Sequence, residues 1–248
     1  MDYENEVIKN LMERKSVRAY LEQPISQKDI QTILEAAANA PTAGNQQMYT
    51  ILHITDQKLK ERLADTCDHQ PFIAKAPLVL IFLADMQKWY DAFAEQGCNP
   101  RKPGAGDFLL AVDDSLIAAQ NAVTAAESLG IGSCYIGDIM EQCEVHRELL
   151  QLPEYVFPAA MVVFGYPTEQ QKNRQKPERL SMSVLVHENT YRPLGKVERQ
   201  QLLRSKGNQP IQETFRAFHD RKYDSDFARE MTRSVEEYLK EFQGCEGK

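Results

Sequence analysis

Three observations predict a globular chain that mixes helices with a few buried strands. Two short, continuous apolar runs, Ala76 to Ala84 and Ala159 to Gly165, have the length and composition of strands covered on both faces. Other segments carry the 3.6-residue apolar spacing of amphipathic helices. Clusters rich in Pro, Gly and Asn separate the two kinds of segment.

The chain has 248 residues, enough for one large domain or two small ones with a substantial core. Hydrophobic residues make up 42% and charged residues 26%, and the net charge is -7, which argues against a nucleic-acid-binding surface. The longest apolar run is far too short to span a bilayer, so no membrane partner is expected. An acidic N-terminus is unlike a signal peptide, and five scattered cysteines without a Cys-x-x-Cys pair read as free thiols; both predict a cytoplasmic protein.

In order, residues 4 to 15 place Val7, Ile8, Leu11 and Met12 on one helical face and end in the basic cluster Arg14, Lys15 and Arg18. Cations converging in this way suit a phosphate, and equally a charged helix end. Ser26 is the expected N-cap of the next helix, with Asp29 at the capping-box position and Pro41 as its stop. The loop Pro41-Thr42-Ala43-Gly44-Asn45-Gln46-Gln47 precedes a strand-like Tyr49 to Ile54; it can present amides to a ligand or simply connect two elements. A helix over 57–66, a turn at Gln70-Pro71-Phe72 and the first buried strand follow. Residues 85 to 107 begin as a helix around Trp89 and end as a Pro- and Gly-rich loop.

A long, alanine-rich helix is expected over Phe108 to Leu129, with Leu116, Ala119, Val123 and Ala126 on its buried face and a subunit contact as its setting. Gly130 reads as its C-cap and Gly137 as a point of close backbone approach. The glycines of 130–137 follow a helix with the wrong spacing for a dinucleotide fingerprint. Further on lie a helix over 141–150, the second buried strand, and basic residues at Lys172, Arg174, Lys176 and Arg179. The charged C-terminal stretch, with Phe215, Phe218, Phe227, Val235, Tyr238 and Leu239 as candidate buried residues, is too poor in apolar groups for its own core. No metal is expected: Cys143 and His146 lack a second ligand pair and read as a helix-surface coincidence, and His187-Glu188 lacks a second His. Asp113 and Asp114 read as carboxylates near a helix start, and no nucleophile elbow is present.

Four separated pieces, taken together, resemble the FMN-dependent nitroreductase family, in its NADPH-linked nitroreductase and flavin reductase subgroup. They are Arg14 to Tyr20; Ala40 to Gln47; Ala125 to Gly132 with Tyr135-Ile136-Gly137; and Lys176 to Leu180 leading into Val186 to Tyr191. The resemblance implies an α+β fold, a central mixed β-sheet flanked by helices, in an intertwined homodimer. It implies an FMN-binding domain over 1–195 and a helical C-terminal extension over 196–248, packed on the same domain or on the partner subunit.

By the family's pattern, Arg14, Lys15, Ser16 and Arg18 hold the FMN phosphate and ribityl chain, and Arg179 with Lys176 closes the clamp. Pro41, Thr42, Asn45 and Gln47, from the other subunit, contact the flavin, and Gln70 reaches its pyrimidine edge. Tyr135, Ile136, Gly137 and Asp138 line the ring, with a backbone N–H after Ile136 directed at N5. The implied reaction is ping-pong: hydride passes from NADPH or NADH through flavin N5 to an electron-poor small molecule such as a nitroaromatic, a quinone or a flavin. Protein residues supply orientation and electrostatics, with no protein nucleophile. Reductive dehalogenation and FMN binding without turnover are the alternatives. Two departures from the pattern stand out: Asp138 replaces a glycine, and the basic loop expected to meet the nucleotide 2'-phosphate retains Arg204 and Lys206 but has Ile211 and Gln212 where arginines are expected.

Overall fold

The computed structural model of the chain describes residues 5–203 and 210–244. By contact it divides into two compact units, residues 1–175 with 231–248, and residues 176–230.

The first unit is built on a four-stranded sheet of β1 (Tyr49–His53), β2 (Leu78–Asp85), β3 (Gly132–Ile136) and β4 (Val156–Gly165), in the order β1-β2-β4-β3. Both predicted apolar runs are central strands, buried throughout. Alternate residues face opposite ways: Leu78, Leu80, Phe82, Val162 and Phe164 pack on one face, Val79, Ile81, Leu83, Met161 and Val163 on the other. All three strand pairings are antiparallel, where a mixed sheet was expected. Among the described residues the parallel contact is a single bridge, Ser16 to Ser133. The N-terminal segment leaves the edge of β3 there and crosses to Tyr166 and Pro167, so it adds no strand to the sheet.

Helix α1 (Glu6–Glu13) starts at Asn5, whose side chain accepts from the N–H groups of Val7 and Ile8, and buries none of its residues within the chain. In α2 (Gln27–Ala38) Ser26 caps as expected, accepting from Asp29 N at 3.1 Å. α3 (Gln57–Thr66) leads into α4 (Pro71–Lys75), a short helix with proline at its first position where the sequence suggested only a turn. α5 (Gln87–Glu95) precedes the long α6 (Ala105–Ser128), which packs on α2 and the sheet. Its buried face is made of small residues, Ala111, Ser115, Ala118, Ala119, Ala122 and Ala126 with Val123, which allow close approach. Leu116 is 39% exposed and lies off that face, contrary to expectation. Gly130 ends the helix with φ 73°, left-handed backbone that favours glycine.

α7 (Cys143–Leu150) and α8 (Glu169–Asn173) complete this part. Cys143 and His146 are both buried rather than on a helix surface. His146 Nε2 lies 2.8 Å from Thr66 Oγ1, whereas Cys143 joins the cluster around Tyr238, so the two do not share a site.

The second unit contains α9 (Met182–Leu185), α10 (Lys196–Gln200) and α11 (Ile211–Lys222). Phe218, expected to be buried, is 43% exposed. α12 (Asp226–Leu239) carries the chain back, and its end belongs to the first unit: Tyr238 and Phe242 are buried with Phe108, Tyr155 and Phe157. Arg147 pairs with Glu241, and Cys143 N donates to Ser234 Oγ at 2.9 Å. No helix among the described residues is long and apolar enough to cross a membrane.

Candidate functional site

The basic N-terminal segment is extended along the edge of β3. Val17 N donates to Ser133 O at 2.9 Å, and Val17, 4% exposed, lies flat on Gly132. A Cβ at Gly132 would meet Val17 Cγ2 at 2.5 Å, and one at Gly165 would meet the Tyr20 ring at 2.6 Å. These two glycines are therefore what lets residues 14–20 lie against the sheet. Gly137, expected to be the close approach, has only Met140 Cε at 3.8 Å from such a Cβ, so its surface is open within the chain.

In an extended segment alternate side chains share a side. Lys15 turns to the end of α8, where its ammonium donates to the carbonyls of Lys172 and Arg174, and Arg174 in turn donates to Ser16 O. Arg14, Ser16 and Arg18 face Cys134 and Tyr135. Burial pushes the Cys134 thiol up while Arg18, Ser16 and Arg14 draw it back. Burial likewise pushes the Tyr135 phenol up to about 12, with Arg14 acting the other way. Thus two of the three cations converge and the third ties the segment down. Arg14 Nη1 is buried with no hydrogen-bond partner among the described residues, and a buried guanidinium nitrogen left so calls for an acceptor. Arg18 is exposed.

Residues 42–48 fold into a tight loop with left-handed backbone at Gly44 (φ 57°), Asn45 (φ 57°) and Gln47 (φ 45°). Its organiser is Asp114, which the sequence reading placed near a helix start. α6 begins at Ala105, so Asp114 is well inside it and 2% exposed. Its carboxylate accepts from Thr42 Oγ1, from Ala43 N at 3.0 Å and from Met48 N at 3.1 Å. Thr42 Oγ1 also accepts from Gln47 N at 2.9 Å, so this hydroxyl is used within the loop. On the other side Trp89 Nε1 donates to Gln46 O at 2.8 Å. Pro41, Asn45 and Gln47 remain exposed. A buried Asp, many residues from the loop it serves, carries no local sequence signal.

Gln70 precedes α4 and donates through Nε2 to Cys67 O at 2.8 Å. Ile136 ends β3, 2% exposed, and Gly137 and Asp138 open the short 3-10 turn that follows. The carboxylates of Asp138 and Glu141 add to burial in raising the Cys67 thiol. Lys176 and Arg179 lie in the second unit, where Arg179 lines a hollow with Val184, Leu202 and Phe218. Arg204 and Lys206 fall outside the described residues.

The model of the Nitroreductase family matches residues 11–166. The chain is 34% identical over 189 residues to an FMN reductase [NAD(P)H] of Bacillus subtilis, covering 75% of each chain. It is 35% identical over 188 residues to an oxygen-insensitive NADPH nitroreductase of Salmonella typhimurium, again 75% of each. Among solved structures, NfrA2 of B. megaterium superposes with a TM-score of 0.81 at 29% identity, covering 98% of this chain and 100% of that one. An oxidoreductase from Bacteroides fragilis superposes at 0.83 with 27% identity, covering 95% and 99%.

Proposed function

The chain belongs to the nitroreductase family and is an NAD(P)H-dependent oxidoreductase of the FMN reductase and nitroreductase type; on that premise we propose that it holds FMN against the edge of β3 and reduces a nitroaromatic, a quinone or a free flavin. The observation that carries the assignment is Nη1 of Arg14, buried and without a hydrogen-bond partner among the described residues, on a guanidinium that acts with Arg18 on the same Cys134 thiol. A phosphate supplies the missing acceptor, and guanidinium groups suit it through paired donors.

The residues fit such a group, each with a defined task. Arg14, Ser16 and Arg18 bind the phosphate and ribityl chain. Lys15 contributes by holding the segment to the end of α8. Tyr135, Ile136, Gly137 and Asp138 border the ring, and Gly137 N–H is the proposed donor at its N5, a contact that needs no titratable group. Pro41, Asn45 and Gln47 present a polar edge, with Thr42 acting inside its loop, and Gln70 serves the pyrimidine side. FMN, when bound, supplies a ring that accepts hydride from NADPH or NADH and passes a pair of electrons to the acceptor. The chain's own task is to orient both reactants in turn and to surround the ring with cations and backbone donors. Arg204 and Lys206 are the candidates for the nucleotide phosphate.

The proposal includes a homodimer. Leu109, Leu110, Leu116 and Ile117 are 60%, 48%, 39% and 40% exposed on one face of α6, an apolar stripe that a second copy of the chain would cover. The functional test is anaerobic mixing of the FMN-loaded protein with NADPH or NADH while flavin absorbance is followed. Bleaching, and its reversal by an added nitroaromatic or quinone, is expected. A yellow protein that bleaches with neither nucleotide overturns the enzymatic assignment, and one that takes up no FMN overturns the cofactor.

A further inference from the structure

We infer that Asp114 is a positioning residue of the flavin site, acting through the 42–48 loop; the inference rests on the reading that this loop faces FMN. Asp114 does not bond the two exposed side chains the loop presents, Asn45 and Gln47. Its bonds go to residues on either side of them: Thr42 and Ala43 before, Met48 after. Those contacts close the loop on itself, and Thr42 relays the closure to Gln47 N.

Closure is needed because the loop's conformation is unfavourable on its own. Asn45 and Gln47 occupy left-handed backbone, which Asn tolerates but which a residue such as Gln seldom adopts unless its surroundings impose it. A buried carboxylate satisfied by three donors supplies that imposition, and charge-assisted bonds are the stronger kind. The Trp89 bond to Gln46 O fixes the loop from the opposite side. Loss of the Asp114 contacts therefore frees Asn45 and Gln47 to leave the orientation in which they meet the ring.

The chain has a single tryptophan, so its fluorescence reports this loop directly. The test compares Thr42→Val, Thr42→Ser and Asp114→Asn in the FMN-loaded protein, with melting temperature as the check on folding. Valine removes the hydroxyl at similar shape, and serine keeps it. Asparagine replaces one acceptor oxygen by a donor, which opposes at least one loop N–H. Asp114→Asn should raise the FMN Kd about tenfold, the scale of one lost hydrogen bond, and Thr42→Val, which removes both the bond to Asp114 and the acceptor of Gln47 N, by at least as much. Both should shift the flavin absorbance band and the Trp89 emission, and Thr42→Ser should restore wild-type values. If Asp114→Asn does not fold, the Thr42 pair decides. Folded variants whose FMN Kd, flavin band and Trp89 emission all match the wild type overturn the role of Asp114 and leave the flavin reading standing. A wild-type protein without FMN uptake overturns that reading, and the inference with it.

Discussion

Replacing Gly132 by alanine tests whether the N-terminal segment is held against β3 by shape. The backbone of Gly132 is not left-handed, so chain entropy alone would favour alanine by about 0.4–1 kcal/mol. Packing opposes this. The new methyl would sit 2.5 Å from Val17 Cγ2 and 2.9 Å from Val17 Cβ, whereas carbons rest about 3.5–4 Å apart. Val17 would have to retreat by about 1 Å on that scale. It cannot do so by rotation, because its β-branched side chain is stiff and its N–H is bonded to Ser133 O. Overpacking of this kind costs about 1–3 kcal/mol, which for a chain of this size lowers Tm by roughly 2–12 °C. Displacement of Val17 also carries Ser16 and Arg18 away from Cys134, so FMN affinity should fall with stability. Thermal melts and FMN titration of Gly132→Ala, with and without Val17→Ala, measure both effects. Val17→Ala in that background should recover part of the FMN binding, since both γ-methyls are gone and only the Cβ contact at 2.9 Å remains to be relieved. A Gly132→Ala protein with unchanged Tm and FMN Kd would refute the argument.

Three further outcomes are expected. Arg18→Ala should weaken FMN retention with the fold intact, since a charge-assisted contact to phosphate is worth about 1.5–3 kcal/mol; a titration that matches the wild type would remove its phosphate role. Burial of His146 lowers its pKa from the ordinary 6.5, so the native state favours the neutral ring. Its contribution to stability is complete above 6.5 and is lost as pH falls below that value toward the native-state pKa. Melting temperature should therefore drop on acidification through this range, and His146→Gln should flatten that part of the profile. Finally, Leu110→Glu with Ile117→Glu should convert a dimer to monomers in light-scattering measurements, because two carboxylates cannot be covered by an apolar partner face.

What the sequence made legible follows from how local each signal is. The runs at 78–85 and 156–165 announce themselves because central strands are apolar on both faces. Ser26 caps α2 through an atom three residues away, and such short-range chemistry is written in the sequence. β3 was harder: Gly-Ser-Cys-Tyr-Ile is short and half small, and a single named strand, β4, pairs with it. The basic cluster was visible, but not the different use of Lys15, which depends on carbonyls more than 150 residues away. Tyr238 and Phe242 could be marked as apolar or aromatic, yet only the fold places them beside Phe108 and Phe157. Phe218 has the same composition signal and remains exposed.

The long helix α6 shows why such distant relations matter for the site. Its small residues let it lie close to the sheet and α2, and its larger apolar residues, Leu109, Leu110, Leu116 and Ile117, face outward. Asp114 lies between these two surfaces, inside the helix, with its carboxylate turned to the 42–48 loop. One rigid element thus carries both the apolar stripe offered to a second subunit and the group that shapes the loop. On the proposed reading, that loop meets the flavin of the partner subunit. A change that shifts α6 against the sheet would then disturb subunit packing and loop presentation together. On that reading the loop side chains that meet the flavin, Asn45 and Gln47, are exposed and polar, and Asp114, which places them, is buried in the scaffold.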